Sequence, residues 1–377
     1  MYISAAEILP DTAWSALPRA QSQLAVEADK ARAFGKHLVA ATFESLSRTL
    51  GHAPRVAALI EQWPGDLASA GVIFRLNAGV HALARSGRFA PLHDMFRAAT
   101  PATIPDPIAL DAAVTVALRD GEQELLRWLA GPTQTNEVAR VAGLAAALVE
   151  LSAAKPMPCD LLELGSSAGL NLNIARYDLH IGGHRVGDGA SDVLISPRWI
   201  GRAPLPGTLA IATAAGVDPS PLDVTCRQDS DRLHAYIWPG EHERSDRLQA
   251  AIALAHLHPP MVERGFAGEW LARRLAIPQR QGQRRVVFHS MVAQYMPSAE
   301  RAEIDRLLGQ AGATASEERP LARVALEWNA DRTAVEVCVT QWDGQPHSGR
   351  PIIAARCHPY AEWFEWFGVA QPEPMSR

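Results

Sequence analysis

Between Leu161 and Leu172 the chain reads Leu-Leu-Glu-Leu-Gly-Ser-Ser-Ala-Gly-Leu-Asn-Leu, an apolar run that ends on small residues. The pattern predicts a buried strand, a tight turn from Gly165 to Gly169 and a helix from Gly169 to Tyr177. In open α/β sheets ligands collect beyond the carboxyl ends of the strands, where helix starts offer unpaired N–H groups. Glycines also serve turns that bind nothing. A dinucleotide fingerprint wants glycine where Ser167 and Leu170 stand, and a P-loop wants G-K-[ST] after four spacers; neither is present. Gly165-Ser166-Ser167-Ala168-Gly169 also spells G-x-S-x-G, the nucleophile elbow of α/β hydrolases, with Asp343 and His358 following in the expected order. An elbow sits within a sheet whose earlier strands precede it, whereas the chain before residue 150 reads as helical and carries no HGGG-like segment. The serine hydrolase using Ser167 is the weaker alternative.

The elements that must position this turn follow from periodicity. From about Ala20 to Leu129 apolar residues recur every three or four positions, as at Val56, Leu59, Ile60 and Trp63, which predicts a helical domain over 1–132. A helix from Glu137 to Ser152, with Val138, Val141, Ala145, Leu148 and Val149 on one stripe, opens a second domain over 133–377, its start capped by Thr135 or Asn136. Strands are expected at Cys159–Leu164, Thr208–Ala214, near Val262, at Arg285–His289, Leu321–Trp328, Ala334–Gln341 and Pro351–Arg356. Helices are expected at Glu243–His256, Gly268–Ala276 and Ser298–Leu308. Strands alternating with helices imply a mostly parallel sheet covered on both faces, with an antiparallel C-terminal strand. Leu321–Trp328 and Ala334–Gln341, where Val335, Val337 and Val339 alternate with polar neighbours, read as antiparallel neighbours around a turn at Asn329–Arg332.

Composition narrows the setting. The 377 residues are 47% hydrophobic and 20% charged, with a net charge of -5, so a general nucleic-acid coat is not expected. No apolar run approaches the roughly 20 residues that cross a bilayer, so no membrane role is expected either. Four cysteines without a C-x-x-C pair and a start lacking an export signal point to a reducing cytoplasm. The histidines show no metal-ligand spacing.

Apolar-apolar-Glu163-apolar-Gly165-x-small-x-Gly169 resembles the first motif of Rossmann-like methyltransferases, with Ser167 replacing the usual middle glycine. Over nearly its full length the chain also resembles the bacterial domain of unknown function 2332 family. The likeness is carried by Thr133–Arg140, Leu162–Leu172, Gly216–Asp218, Pro221–Asp223, Ala235–Pro239, Phe288–Ser290 and Gln294-Tyr295. These resemblances imply a methyltransferase-like α/β sheet behind an all-α domain, S-adenosylmethionine as cofactor, and methyl transfer to a small or medium polar acceptor. The alternative is a protein that binds S-adenosylmethionine or S-adenosylhomocysteine without transfer.

On that reading Glu163 faces the methionine portion of the cofactor above Gly165, Ser166, Ser167, Gly169 and Asn171. Arg140 clamps a carboxylate, Asp218 accepts the ribose hydroxyls with Asp223 in reserve, and Phe266 stacks on adenine where relatives carry an acid. His289, at the end of a buried strand, is the expected proton acceptor near neutral pH, with Tyr295 beside it. Ser290, Gln294, Asn136 and Trp238 are expected on the substrate side.

Overall fold

The computed structural model describes residues 17–369. They form two compact units, the first from the described part of Met1–Thr135 with Cys226–Asp246, the second from Asn136–Thr225 with the described part of Arg247–Arg377.

The first unit is helical. Pro18–Ala33, His37–Thr49, Pro54–Glu61, Val72–Arg85, Ala90–Arg97 and Pro107–Ala130 are joined by Arg227–Ala235, which packs on Val72–Arg85. The three-and-four spacing at Val56, Leu59 and Ile60 buries all three. Pro18, Pro54 and Pro107 each occupy a first helical turn, where a missing N–H costs nothing. Buried Arg75 donates to the carbonyls of Leu129 and Gly131, both at 2.7 Å, satisfying acceptors that the end of Pro107–Ala130 leaves open. At the other end Asp106 caps that helix, accepting from Ala109 N at 2.9 Å. Asp106→Ala is expected to cost about 1 kcal/mol, seen in thermal unfolding as a fall of about 2–4 °C.

The second unit is mixed α/β. Its strands are β1 (Cys159–Leu164), β2 (Asp178–Ile181), β3 (His184–Gly187), β4 (Leu194–Ile195), β5 (Arg198–Gly201), β6 (Ile211–Asp218), β7 (Val262–Arg264), β8 (Arg284–Ser290), β9 (Leu321–Trp328), β10 (Val335–Trp342), β11 (Pro351–Cys357) and β12 (Trp363–Trp366). The main sheet has nine strands in the order β5-β12-β11-β10-β9-β8-β1-β6-β7. From β7 to β9 every neighbouring pair is parallel.

The expected antiparallel pair, β9 with β10, forms and continues as a meander through β11 and β12, with β5 added parallel to β12. The connections there are too short to carry the crossover that parallel strands need. Asn329 Oδ1 closes the first of them by accepting from Thr333 N at 2.9 Å. A small three-stranded sheet, β3-β2-β4, has no counterpart in the sequence reading.

Helices cover both faces. Val141–Ala154 is buried all round from Val141 to Ser152, not along one stripe, as expected of a helix apolar on every side. It is preceded by a 3₁₀ turn, Val138–Arg140, capped by Glu137 and not by Thr135 or Asn136. On the opposite face Leu162, Leu164, Val217 and Val287 pack with Trp270 and Leu271 of the helix Ala267–Ala276 and Ile304 and Leu308 of the helix Ser298–Ala313. That last helix runs past Gly309, where the sequence suggested a stop. Among the described residues no helix is long and apolar enough to cross a membrane.

Candidate functional site

The strand order reverses at β1: β6 and β7 lie to one side, β8 and β9 to the other. A reversal of this kind opens a crevice beyond the carboxyl ends of the strands. Alternation along β1 sends Leu162 and Leu164 into the core described above and Glu163 to the other face.

Glu163 is 2% exposed, and its Oε1 accepts from Asn171 Nδ2 at 2.8 Å. The second oxygen, Oε2, and Asn171 Oδ1 are both buried without a hydrogen-bond partner among the described residues. Burial pushes the Glu163 carboxyl up to about 8; the side chains of Asn171 and Ser166 pull against it and the Asp218 charge adds to it. With Glu163 ionised these are two buried acceptors without a donor, which is costly inside a protein and is relieved by a proton or by a donor brought by a ligand. Together they suit a cationic or N–H-bearing group.

The turn after β1 is held by its neighbours. Gly165 and Ser166 both donate to Val217 O, Ser167 N donates to Asp218 Oδ2 at 2.9 Å, and Ser220 N donates to Asp218 Oδ1 at 2.8 Å. Asp218 thus ties the turn after β1 through Oδ2 to its own loop, which it holds through Oδ1. Gly165, Ser167 and Gly169 have φ of 71°, 53° and 72°; for Ser167 the left-handed conformation is uncommon and is held by the Asp218 bond. Asn136 Oδ1 accepts from Leu170 N at 3.1 Å, fixing the start of a 3₁₀ segment, Leu170–Arg176. The expected α-helix does not form there.

The two glycines also meet protein. A Cβ built on Gly165 would lie 2.4 Å from Val292 Cγ2, and one on Gly169 would lie 2.5 Å from Val262 Cγ2. Part of the need for glycine at both positions is therefore internal packing.

His289, in register beside Leu164, is 3% exposed and engaged at both ring nitrogens. Arg323 Nε donates to Nε2 at 3.0 Å, so Nδ1 carries the proton and faces Glu327 Oε1 at 2.7 Å. The same Glu327 oxygen accepts from Val292 N at 3.1 Å and Ala293 N at 3.3 Å. A continuous chain therefore runs from Arg323 through His289 and Glu327 to the loop seated on Gly165. The lone pair a general base would use is already taken. Sequence reasoning missed Arg323 and Glu327, since only the β8–β9 register brings them to His289.

Tyr295 is 40% exposed, and Gln294 donates to Met291 O and accepts from Arg332 Nη2 at 2.9 Å; Ser290 ends β8. Phe266 stands 61% exposed two residues past the carboxyl end of β7. Arg140 is buried and donates from Nε to Pro359 O at 2.9 Å, towards the meander side. Asp223 accepts from Thr225 N and Oγ1 in its own turn. Trp238 belongs to the helical unit. As for the hydrolase alternative, Asp343 Oδ1 accepts from Gln345 N at 3.1 Å and Oδ2 accepts from Gln341. Its link to His358 is not made among the described residues, where His358 Nδ1 accepts from Tyr360 N at 3.3 Å.

The fold and this crevice define a mixed α/β protein with a helical N-terminal region and a candidate ligand turn at the reversal of its sheet. The chain belongs to the DUF2332 family, described as uncharacterized proteins conserved in bacteria, whose profile matches residues 21–366. No curated protein and no solved structure matches it.

Proposed function

We propose that the α/β unit binds S-adenosylmethionine at the turn after β1 and transfers its methyl group to a small or medium polar acceptor. The observation that carries this reading is the pair of donorless buried acceptors, Glu163 Oε2 and Asn171 Oδ1, at the crevice where α/β sheets take ligands. They fit the cofactor's ammonium group. Asp218, at the end of β6, suits the ribose hydroxyls, and exposed Phe266 suits the adenine face. When bound, the sulfonium supplies an already reactive methyl group.

The chain's own contribution is then position and exclusion of water. Glu163 and Asn171 hold the amino-acid end, and the loop carrying Ser290, Gln294 and Tyr295 offers polar contacts to the acceptor. His289 is assigned here to positioning: it transmits Arg323 and Glu327 to the Val292 loop. Its engaged ring also favours a second reading, in which the unit binds the cofactor or its demethylated product without transfer.

Calorimetry with S-adenosylmethionine and S-adenosylhomocysteine tests binding, and absence of heat with both removes either reading. Turnover of bound donor against a metabolite extract then separates transfer from binding alone. His289→Gln can still accept from Arg323 and donate to Glu327, so turnover within about threefold of wild type is expected. A base role would instead cost about 100-fold or more in both His289→Gln and His289→Ala.

A further inference from the structure

The helical unit contains a cavity of about 350 Å³ between the helices Val72–Arg85 and Ala90–Arg97 and the segment from Trp238 to His242. Its wall combines positive charge with planar apolar surface. Arg85 makes no hydrogen bond among the described residues; its nearest carboxylate oxygen, Asp231 Oδ1, lies 3.9 Å from Nη2 while the side chain is only 37% exposed. Arg97 stands at the rim, 3.8 Å from Asp94.

The lining acid, Glu241, does not cancel this charge, because Lys36 Nζ lies 2.6 Å from one oxygen and Arg244 Nη1 lies 2.8 Å from the other. His93 Nδ1 donates to Ala84 O at 3.0 Å and His242 Nε2 donates to Ala99 O at 3.1 Å. Each leaves its second ring nitrogen without a hydrogen-bond partner among the described residues. Phe96 and Trp238, 5% and 6% exposed, supply the apolar wall.

The geometry points to a binding site for a small organic anion, its phosphate or carboxylate head on Arg85 and its planar body against Phe96 and Trp238. Arginine in a partly desolvated site recognises either oxyanion through paired N–H bonds. The volume lies at the lower end of small-molecule pockets, about 300–1,000 Å³, and far exceeds what a bare oxyanion fills. Every residue lining this site belongs to the helical unit, and the assignment needs neither the cofactor nor methyl transfer.

The test is calorimetry on the full chain with phenyl phosphate, benzoate, inorganic phosphate and, as the neutral control, benzyl alcohol. At least one aromatic anion should bind about tenfold or more tightly than both inorganic phosphate and benzyl alcohol, and phenyl phosphate against benzoate identifies the preferred head. Arg85→Gln should weaken that binding about tenfold or more without lowering the melting temperature, and Arg85→Lys should retain part of it. Heat with neither aromatic anion, equal binding of benzyl alcohol, or undiminished binding in Arg85→Gln overturns the assignment. S-adenosylhomocysteine titrated on Arg85→Gln should bind as it does to wild type, which keeps failure here distinct from failure at Glu163.

Discussion

Replacing Glu163 by glutamine is expected to weaken S-adenosylmethionine binding by about 10- to 100-fold and to abolish its pH dependence, because a charge-assisted hydrogen bond to a buried carboxylate is worth about 1.5–3 kcal/mol. The wild-type carboxyl is protonated at neutral pH, since burial holds it up at about 8. A cationic partner favours the carboxylate, so binding below that pH must expel a proton, and affinity should climb as pH rises towards 8, by up to about tenfold per unit. Calorimetry in buffers of different ionisation enthalpy reads the proton directly: close to one released by wild type at pH 6.5, none by Glu163→Gln. Stability without ligand moves the opposite way. The folded carboxyl keeps its proton between its ordinary value of 4.5 and about 8, whereas the unfolded one has lost it. Over that window the native state holds more protons, so stability falls as pH rises, by at most about 5 kcal/mol in all. Glu163→Gln should flatten that slope in thermal unfolding from pH 5 to 9. An unchanged slope, or proton release that survives the substitution, would remove Glu163 from the site.

What the sequence made legible is what local pattern controls. The run Leu161 to Leu164 with its glycine break located β1 and its turn, and the alternation around Val335, Val337 and Val339 located β10 beside β9. The turn expected at Asn329–Arg332 was equally plain, and there Asn329 Oδ1 accepts from the downstream Thr333 N without tertiary help. The helical character of the first unit followed from three-and-four spacing alone. By contrast β2, β3 and β4 are short strands without strong alternation, and their pairing rests on contacts such as Arg185 Nε donating to Asp178 Oδ1 at 2.7 Å, which no window of residues announces. The continuation of the meander beyond the β9–β10 pair, through β11 and β12 to β5, also stayed hidden. A strand's direction depends on where its connection returns, which periodicity does not encode.

The site divides in the same way. Glu163, Asn171 and Asp218 were singled out because strand ends and small-residue turns carry a sequence signature, and Glu163 and Asn171 are brought together by a direct bond. His289 was located correctly at the end of β8, but what surrounds it was not readable. Arg323 and Glu327 lie 34 and 38 residues away and reach the imidazole only through parallel pairing of β8 with β9. Arg140 shows what a residue type near a helix start cannot announce: its Nε is held by Pro359 O, 219 residues away.

Gly165→Ala separates the two reasons for glycine at the turn and should be strongly destabilising. The backbone there has φ of 71°, which costs an L side chain about 1–2 kcal/mol. The new Cβ would also meet Val292 Cγ2 at 2.4 Å, and overpacking of that kind costs about 1–3 kcal/mol. Val292 cannot simply withdraw, because Glu327 holds its N–H and that of Ala293, and Glu327 is itself held by His289. A total loss of about 2–5 kcal/mol is expected in chemical denaturation. The double substitution Gly165→Ala with Val292→Ala should recover the steric part, about 1–3 kcal/mol, and leave the backbone cost in place. If S-adenosylhomocysteine affinity returns together with stability in the double variant, glycine at 165 serves the seating of the Val292 loop. If stability returns and affinity does not, the added methyl intrudes on the ligand itself. Failure of the double variant to recover any stability would break the chain of contacts from Arg323 to Gly165 on which the positioning role of His289 depends.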